Sequence, residues 1–244
     1  MKGTFVVVDG LDGVGKGVFI DTFVRQAKAD GKRIFDVHEF WSMNDSHPSP
    51  EDIIGKYDVA LTSEPTFSKL GRYIRFVMIA NNDQYFTPQE IAQAYAEDRM
   101  GLYQELVLPL LDAGIDIYQS RSLSTSLVYQ HQSAIDEGME FSAADILAIK
   151  GNAYCFSHPM THLVIPTIKN VDELMRRLAG REKDDDCTFE NSEFQKKLKP
   201  HYESTELRTL FENNGTKVTY LDASISLESS KQQAKEFYTQ NLKK

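Results

Sequence analysis

The chain has 244 residues, a formal net charge of −9, and 41% hydrophobic and 26% charged residues. That is enough chain for one α/β domain with a lid, and the ordinary globular composition excludes wholesale disorder. The acidic balance excludes the basic footprint that nucleic acid polymers need, while a small nucleotide still requires only a few local Arg and Lys.

Short apolar, β-branched runs alternate with longer amphipathic ones. The first, Phe5-Val6-Val7-Val8, leads into Asp9-Gly10-Leu11-Asp12-Gly13-Val14-Gly15-Lys16-Gly17. A helix follows from about Lys16, with Ile20, Phe23, Val24 and Ala27 on one face, and stops at Gly31. Strands are predicted over 4–8, 33–40, 57–61, 115–119, 162–165 and 217–221, and a polar, Pro-rich loop over 41–56. Thr87-Pro88-Gln89-Glu90 is a capping box that opens a helix running past Arg99 and Glu105. Pro109 is expected to kink or end that helix, and Gly114 to close the connection. Ser142-Ala143-Ala144-Asp145 is a weaker box of the same kind. This alternation predicts a three-layer α/β fold: a parallel sheet of about five strands with helices on both faces. The whole of 1–244 reads as a single domain.

Cys155 and Cys187 form neither a disulfide framework nor a zinc spacing, and read as reduced thiols. No long apolar stretch suggests a membrane span, and the N-terminal run is too short for a signal peptide. A soluble, cytoplasmic protein is expected. His158 and His162 are four apart with Pro159 between them, which argues against a metal pair on one helix. Asp184-Asp185-Asp186 reads as a solvated charge run. There is no G-x-S-x-G elbow for a serine nucleophile.

Open parallel sheets bind ligands beyond the carboxyl ends of their strands. Gly10, Gly13, Val14, Gly15, Lys16 and Gly17 stand there after the first strand, with the spacing G-x-x-x-x-G-K of a phosphate-binding P-loop. Backbone N–H groups and the helix N-terminus would cradle phosphates, with Lys16 on the terminal ones. The position that normally reaches Mg²⁺ through a Ser or Thr hydroxyl is Gly17. Asp12 within the loop faces either an acceptor's hydroxyl or solvent. Arg121, directly after the fourth strand, suits a phosphate or a surface ion pair. Tyr95 and Arg99 share a helix face, as a base-stacking pair or as a core ring beside a surface Arg.

Several of these segments together resemble the thymidylate kinases, within the nucleoside monophosphate kinases. Phe5 to Lys16 is similar to that family's first strand and loop. Thr62-Ser63-Glu64-Pro65, then Leu70-Gly71 and Ile74-Arg75, resembles T-R-E-P…L-G…I-R. Tyr95-Ala96-Glu97-Asp98-Arg99 resembles the family's aromatic-x-x-x-Arg helix. Ser120-Arg121-Ser122-Leu123-Ser124-Thr125-Ser126-Leu127-Val128-Tyr129-Gln130 resembles D-R-Y-x-x-S-S-x-A-Y-Q. Arg181-Glu182-Lys183 and Phe189-Glu190 look like a lid, and Leu221-Asp222-Ala223-Ser224 like the last strand.

The resemblance implies a P-loop kinase fold with an insertion at about 36–57 and a lid at about 176–190. It implies ATP and Mg²⁺, an acceptor site for dTMP, and a homodimer. Tyr95 would stack on thymine, and Arg99 and Gln130 would bond its edge with Thr125 nearby. Asp12 would meet the sugar hydroxyl, Arg121 and Arg75 the acceptor phosphate, and Glu64 would line the same site. Lys16 with Arg177 or Arg181 would serve ATP. Gly17, Ser63 and Ser120 depart from the pattern, and so does the lid, which lacks the D-R-F-E arrangement. A non-catalytic nucleotide-binding protein on the same fold is the competing reading.

Overall fold

The computed structural model describes residues 2–179, 189 and 191–243. Among the described residues six strands, β1 (Phe5–Val8), β2 (Ile34–Asp36), β3 (Val59–Ser63), β4 (Asp116–Ser120), β5 (His162–Thr167) and β6 (Lys217–Asp222), form one parallel sheet. The order is β2-β3-β4-β1-β5-β6. Each of the six strands falls on one of the six predicted runs, so the sheet expected to have about five strands has six, with the three-residue β2 at its edge.

β1 is buried along its whole length because both of its edges are paired and both of its faces are covered. On one face Phe23, from the Lys16–Ala29 helix, packs its ring 6.0 Å from Tyr118 and 5.5 Å from Phe237. On the other, Phe5 meets Tyr103 edge-on at 5.6 Å. The chain steps outward from β1 to β2, returns through β3 and β4, and then crosses to β5. The crevice of this switch lies at the carboxyl ends of β1 and β4, which is where the candidate site falls.

Two local expectations are corrected. The strand read over 33–40 ends at Asp36, whose carboxylate accepts the His38 N–H at 3.0 Å and caps a short helix, Val37–Trp41. Within the loop read over 41–56, Pro50 at a helix N-terminus starts a second short helix, Pro50–Ile53.

The Thr87 capping box forms as read, and the Pro88–Leu102 helix follows it. Pro109 does not end that helix. A π-turn over Tyr103–Val107 widens it just before Pro109, and helix resumes over Leu108–Asp112 until Gly114. The wider turn accommodates a residue that has no N–H and crowds the preceding turn. The Ser142 box also forms. Among the described residues, no helix is long and apolar enough to cross a membrane.

Candidate active site

The loop after β1 turns on glycines. Gly13 and Gly15 take φ of 81° and 97°, conformations that side chains disfavour, and Gly15 caps the Lys16–Ala29 helix. Lys16 arcs back over the loop, its Nζ donating to Gly10 O at 3.0 Å and Leu11 O at 2.8 Å. A Cβ built on Gly17 would meet nothing within 4 Å.

Asp9 anchors the loop from beneath. Its fully buried carboxylate accepts Gly10 N (2.7 Å), Ser122 N (3.2 Å), Ser124 Oγ (2.5 Å), Thr125 Oγ1 (2.7 Å) and Tyr202 OH (3.1 Å). Donors from three separate elements thereby tie the P-loop to the segment after β4. Thr125, expected beside a base, belongs to this anchor.

Asp12 is the centre of a second cluster. Arg121 donates to its Oδ1, and Lys16 Nζ stands 3.7 Å from the same oxygen. Tyr129 OH (2.9 Å) and Gln195 Nε2 (3.2 Å) donate to Oδ2, and Asp12 N donates to Gln195 Oε1 at 3.0 Å. Burial alone would raise the Asp12 carboxyl, but Arg121 and Lys16, with the Tyr129 hydroxyl, hold it well below the usual carboxylate range. Burial keeps Tyr129 protonated and hence a donor.

Among the described residues, Arg121 alone has positive φ without being glycine, at 66°. Such a backbone costs about 1–2 kcal/mol. Here it is pinned by Arg121 N to Val8 O and by Gln119 Nε2 to Arg121 O, both 3.0 Å, so that the side chain reaches over the loop.

Glu64 and Arg99 form a third, fully enclosed cluster. Arg99 Nε donates to Glu64 Oε2 at 2.6 Å, its NH2 to Ser126 Oγ at 3.0 Å, and its NH1 to Asn152. Gln119 Nε2 completes Glu64 at 2.9 Å. Burial pushes the Glu64 carboxyl up to about 7, more than the Arg99 charge pulls it down. The structure therefore places Arg99 as the buried partner of Glu64, beneath the site surface.

Tyr95 sits one turn away in a separate apolar cluster with Ile74, Ile79 and Ile91. Gln130 is buried, and its Oε1 has no hydrogen-bond partner among the described residues. Arg75 lies 4.1 Å above the Phe67 ring, donates to Thr66 O at 3.1 Å and to Pro65 O, and approaches Ser63 Oγ at 3.5 Å. Arg181 and most of the expected lid, 180–188 and Glu190, lie outside the described residues, as does the Arg177 side chain.

The structure thus brings Asp12, Lys16, Arg121 and the loop glycines together, and sets Glu64 with Arg99 behind them. Asp9, Tyr129, Gln195 and Tyr202 were not singled out from the sequence. Asp9 and Tyr129 stand inside the P-loop stretch and the Ser120–Gln130 stretch, whereas Gln195 comes from a helix 183 residues downstream of Asp12 that no local pattern connects to the loop.

The donor set does not fit a protein-held Mg²⁺. Gly17 offers no side-chain hydroxyl, and the carboxylates of Asp9 and Asp12 are already bonded to protein donors. Among the described residues no group of three His, Cys, Asp or Glu is arranged for a metal.

Fold and site together define a P-loop α/β protein built to bind nucleotide phosphates. A family model described as thymidylate kinase matches residues 54–234, and the chain belongs to that family. The P-loop itself precedes the matched stretch. A thymidylate kinase of Caldanaerobacter subterraneus is 25% identical over 203 residues, 83% of this chain and 81% of the relative. A thymidylate kinase of Exiguobacterium sp. is 25% identical over 53% of this chain and 50% of its own length. A probable thymidylate kinase of Pyrococcus abyssi is 30% identical over 53% of each. The chain spans about half the length of several curated relatives that it matches.

Proposed function

We propose that this protein transfers the γ-phosphate of ATP to a deoxynucleoside monophosphate, with dTMP the leading acceptor. The observation that carries the proposal is the convergence of Lys16 and Arg121 on one oxygen of the P-loop, Asp12 Oδ1. Two cations from different strands' ends meet there, where a transferring phosphoryl group needs its charge balanced.

In this reading the triphosphate lies along 10–17, with Lys16 on its terminal phosphates. The acceptor's phosphate oxygen attacks the γ-phosphorus in line, and ADP leaves. Arg121 and Arg75 hold the acceptor phosphate, and Asp12 meets the sugar hydroxyl. Tyr95 offers a ring for the base. Gln130 Oε1, an acceptor without a partner among the described residues, suits the N3–H of thymine. A cavity of about 330 Å³ lined by Lys169, Tyr220, Asp222 and Ser224 at the ends of β5 and β6 would take the donor nucleoside in this reading. Mg²⁺ enters on the ATP phosphates, where it usually keeps several waters. We expect one catalytic domain per chain, acting as a cytoplasmic homodimer.

The test is ADP formation by purified protein given ATP, Mg²⁺ and a panel of nucleoside monophosphates, with calorimetry in parallel. Tight dTMP binding without ADP formation would show a non-catalytic binder. Preference for another base would overturn the acceptor assignment. Lys16→Ala should abolish transfer, and Tyr95→Ala should weaken the acceptor far more than ATP.

A further inference from the structure

The segment after β2 carries an arrangement that neither the P-loop nor the family match accounts for. Asp36 Oδ1 lies 2.7 Å from His38 Nδ1, and His38 Nε2 lies 2.9 Å from Ser63 Oγ. Ser63 Oγ is also the atom that Arg75 NH2 approaches at 3.5 Å. An imidazole, a hydroxyl and a guanidinium thus surround one point. His38 belongs to 36–53, which the family model does not match, and Ser63 stands where the T-R-E-P pattern carries Arg.

The sheet register says what lies beside that point. Ser63 pairs with Ser120, and Ser120 with Val8, so the three form one row across β3, β4 and β1. At about 4.8 Å per strand, Ser63 stands about 10 Å from the start of the P-loop, on the Arg121 side. That is where an acceptor phosphate would lie in line with a donor held over β1. We infer that His38, braced by Asp36 and acting with Ser63 and Arg75, recognises the phosphate of the monophosphate acceptor and replaces the cation missing at position 63. The inference rests on the kinase reading above.

The chemistry of the relay follows from its hydrogens. With His38 neutral, Nδ1–H donates to Asp36 and Nε2 accepts the Ser63 hydroxyl proton, turning that proton away from a ligand. With His38 protonated, Nε2–H donates to Ser63 Oγ, and the hydroxyl hydrogen is released to a phosphate oxygen. Protonation therefore adds both a positive charge and a donor at the same place. The charged and titratable groups around His38 are Asp36 beside it, Lys28 near Asp36, Arg75 across Ser63, and His47 behind the Trp41 ring. Trp41 and Phe67 hold the imidazole edge-on at 5.5 Å and 6.1 Å.

The experiment compares wild type, His38→Ala, His38→Gln and the double variant His38→Ala/Ser63→Arg. It reads kcat and the KM of each substrate, the dTMP affinity by calorimetry, and the melting temperature. His38→Ala should raise the monophosphate KM about tenfold, the loss of a charge-assisted bond, and leave the ATP KM unchanged. Adding Ser63→Arg should restore it. His38→Gln, which keeps a neutral side-chain donor near Ser63, should recover only part of the monophosphate KM lost in His38→Ala. A lower melting temperature with an unchanged monophosphate KM, or equal losses for ATP and monophosphate, would make His38 a structural staple and overturn the inference. If no monophosphate is phosphorylated, the kinase reading falls separately. Calorimetry then decides: a tenfold weaker dTMP affinity in His38→Ala upholds the inference, and equal or absent binding in both overturns it.

Discussion

Arg121 donates to Asp12 Oδ1, the same oxygen that Lys16 approaches at 3.7 Å. A carboxylate therefore occupies the position between two cations that phosphate oxygens would take. Removing its charge leaves the two cations facing each other. Asp12→Asn is expected to destabilise the protein by about 1–3 kcal/mol, below the usual cost for a fully buried pair because Arg121 is one-fifth exposed. A triphosphate would compensate for that loss. The increase in melting temperature on adding ATP should thus be larger in Asp12→Asn than in wild type, while turnover falls about a hundredfold. Differential scanning fluorimetry with and without ATP measures the first, and a coupled ADP assay the second. An equal or smaller ATP-induced shift in the variant would refute the shared-position argument.

Gly17 is not enforced by packing. It is the second residue of the Lys16–Ala29 helix, and open space surrounds its missing side chain. Gly17→Thr should fold as well as wild type, with a gain of a few tenths of a kcal/mol from reduced backbone freedom. The new hydroxyl would sit where P-loops normally meet Mg²⁺. The Mg²⁺ concentration for half-maximal turnover should fall several-fold. A titration of activity against Mg²⁺ checks this, and an unchanged midpoint would show that the metal does not pass that position.

Sequence reading succeeded where the signal is local. The strand Phe5–Val8 followed by glycines and Lys16, the Thr87 capping box, and the apolar runs of β3 to β6 all depend on residues within a few positions of one another. It failed where local and tertiary signals compete. Ile34, Phe35, Val37 and Phe40 continue the apolar character of a strand, yet the Asp36 carboxylate caps a helix at His38 and turns the chain. It was blind where partners come from afar. Tyr129 and Gln195 on Asp12, and Asn152 and Ser126 on Arg99, are assembled only by the sheet crossing and the helix packing. The helix face that Arg99 shares with Tyr95 was legible, and its burial against Glu64 was not.

Glu64 carries the clearest pH signature. Its buried carboxyl sits at about 7, above the ordinary glutamate value of 4.5 that holds in the unfolded chain. The native state therefore binds more protons than the unfolded state between those values, and stability must fall as pH rises through that window. The full contribution, on the order of 3 kcal/mol, is present below about pH 4.5 and lost above about pH 7. Glu64→Gln keeps an acceptor for Arg99 and cannot ionise. The unfolding free energy of wild type minus that of Glu64→Gln should decline between about pH 4.5 and 7 and level off above. Urea denaturation across that range measures it, and a difference that stays flat with pH would mean that Glu64 is ionised throughout.

Gly151 ties helix packing to the Arg99 cluster. It opens the Lys150–Phe156 helix directly against Ala96 of the Pro88–Leu102 helix, and an added Cβ would run into the Ala96 carbonyl. That backbone cannot yield without separating the two helices, and with them Asn152 from Arg99. Gly151→Ala should therefore destabilise the protein by about 1–3 kcal/mol through overpacking. It should also weaken acceptor binding, because the Glu64–Arg99 pair loses one of its supports. Gly101, on the same Pro88–Leu102 helix, is the control: its added Cβ would meet only Glu105 Oε1, at 3.9 Å. Gly101→Ala should stabilise by about 0.5–1 kcal/mol through helix propensity, with acceptor affinity unchanged. Opposite signs in urea midpoints for two Gly→Ala changes in packed neighbouring helices would separate steric contact from propensity. A Gly151→Ala protein as stable as wild type would show that the two helices can shift apart without cost.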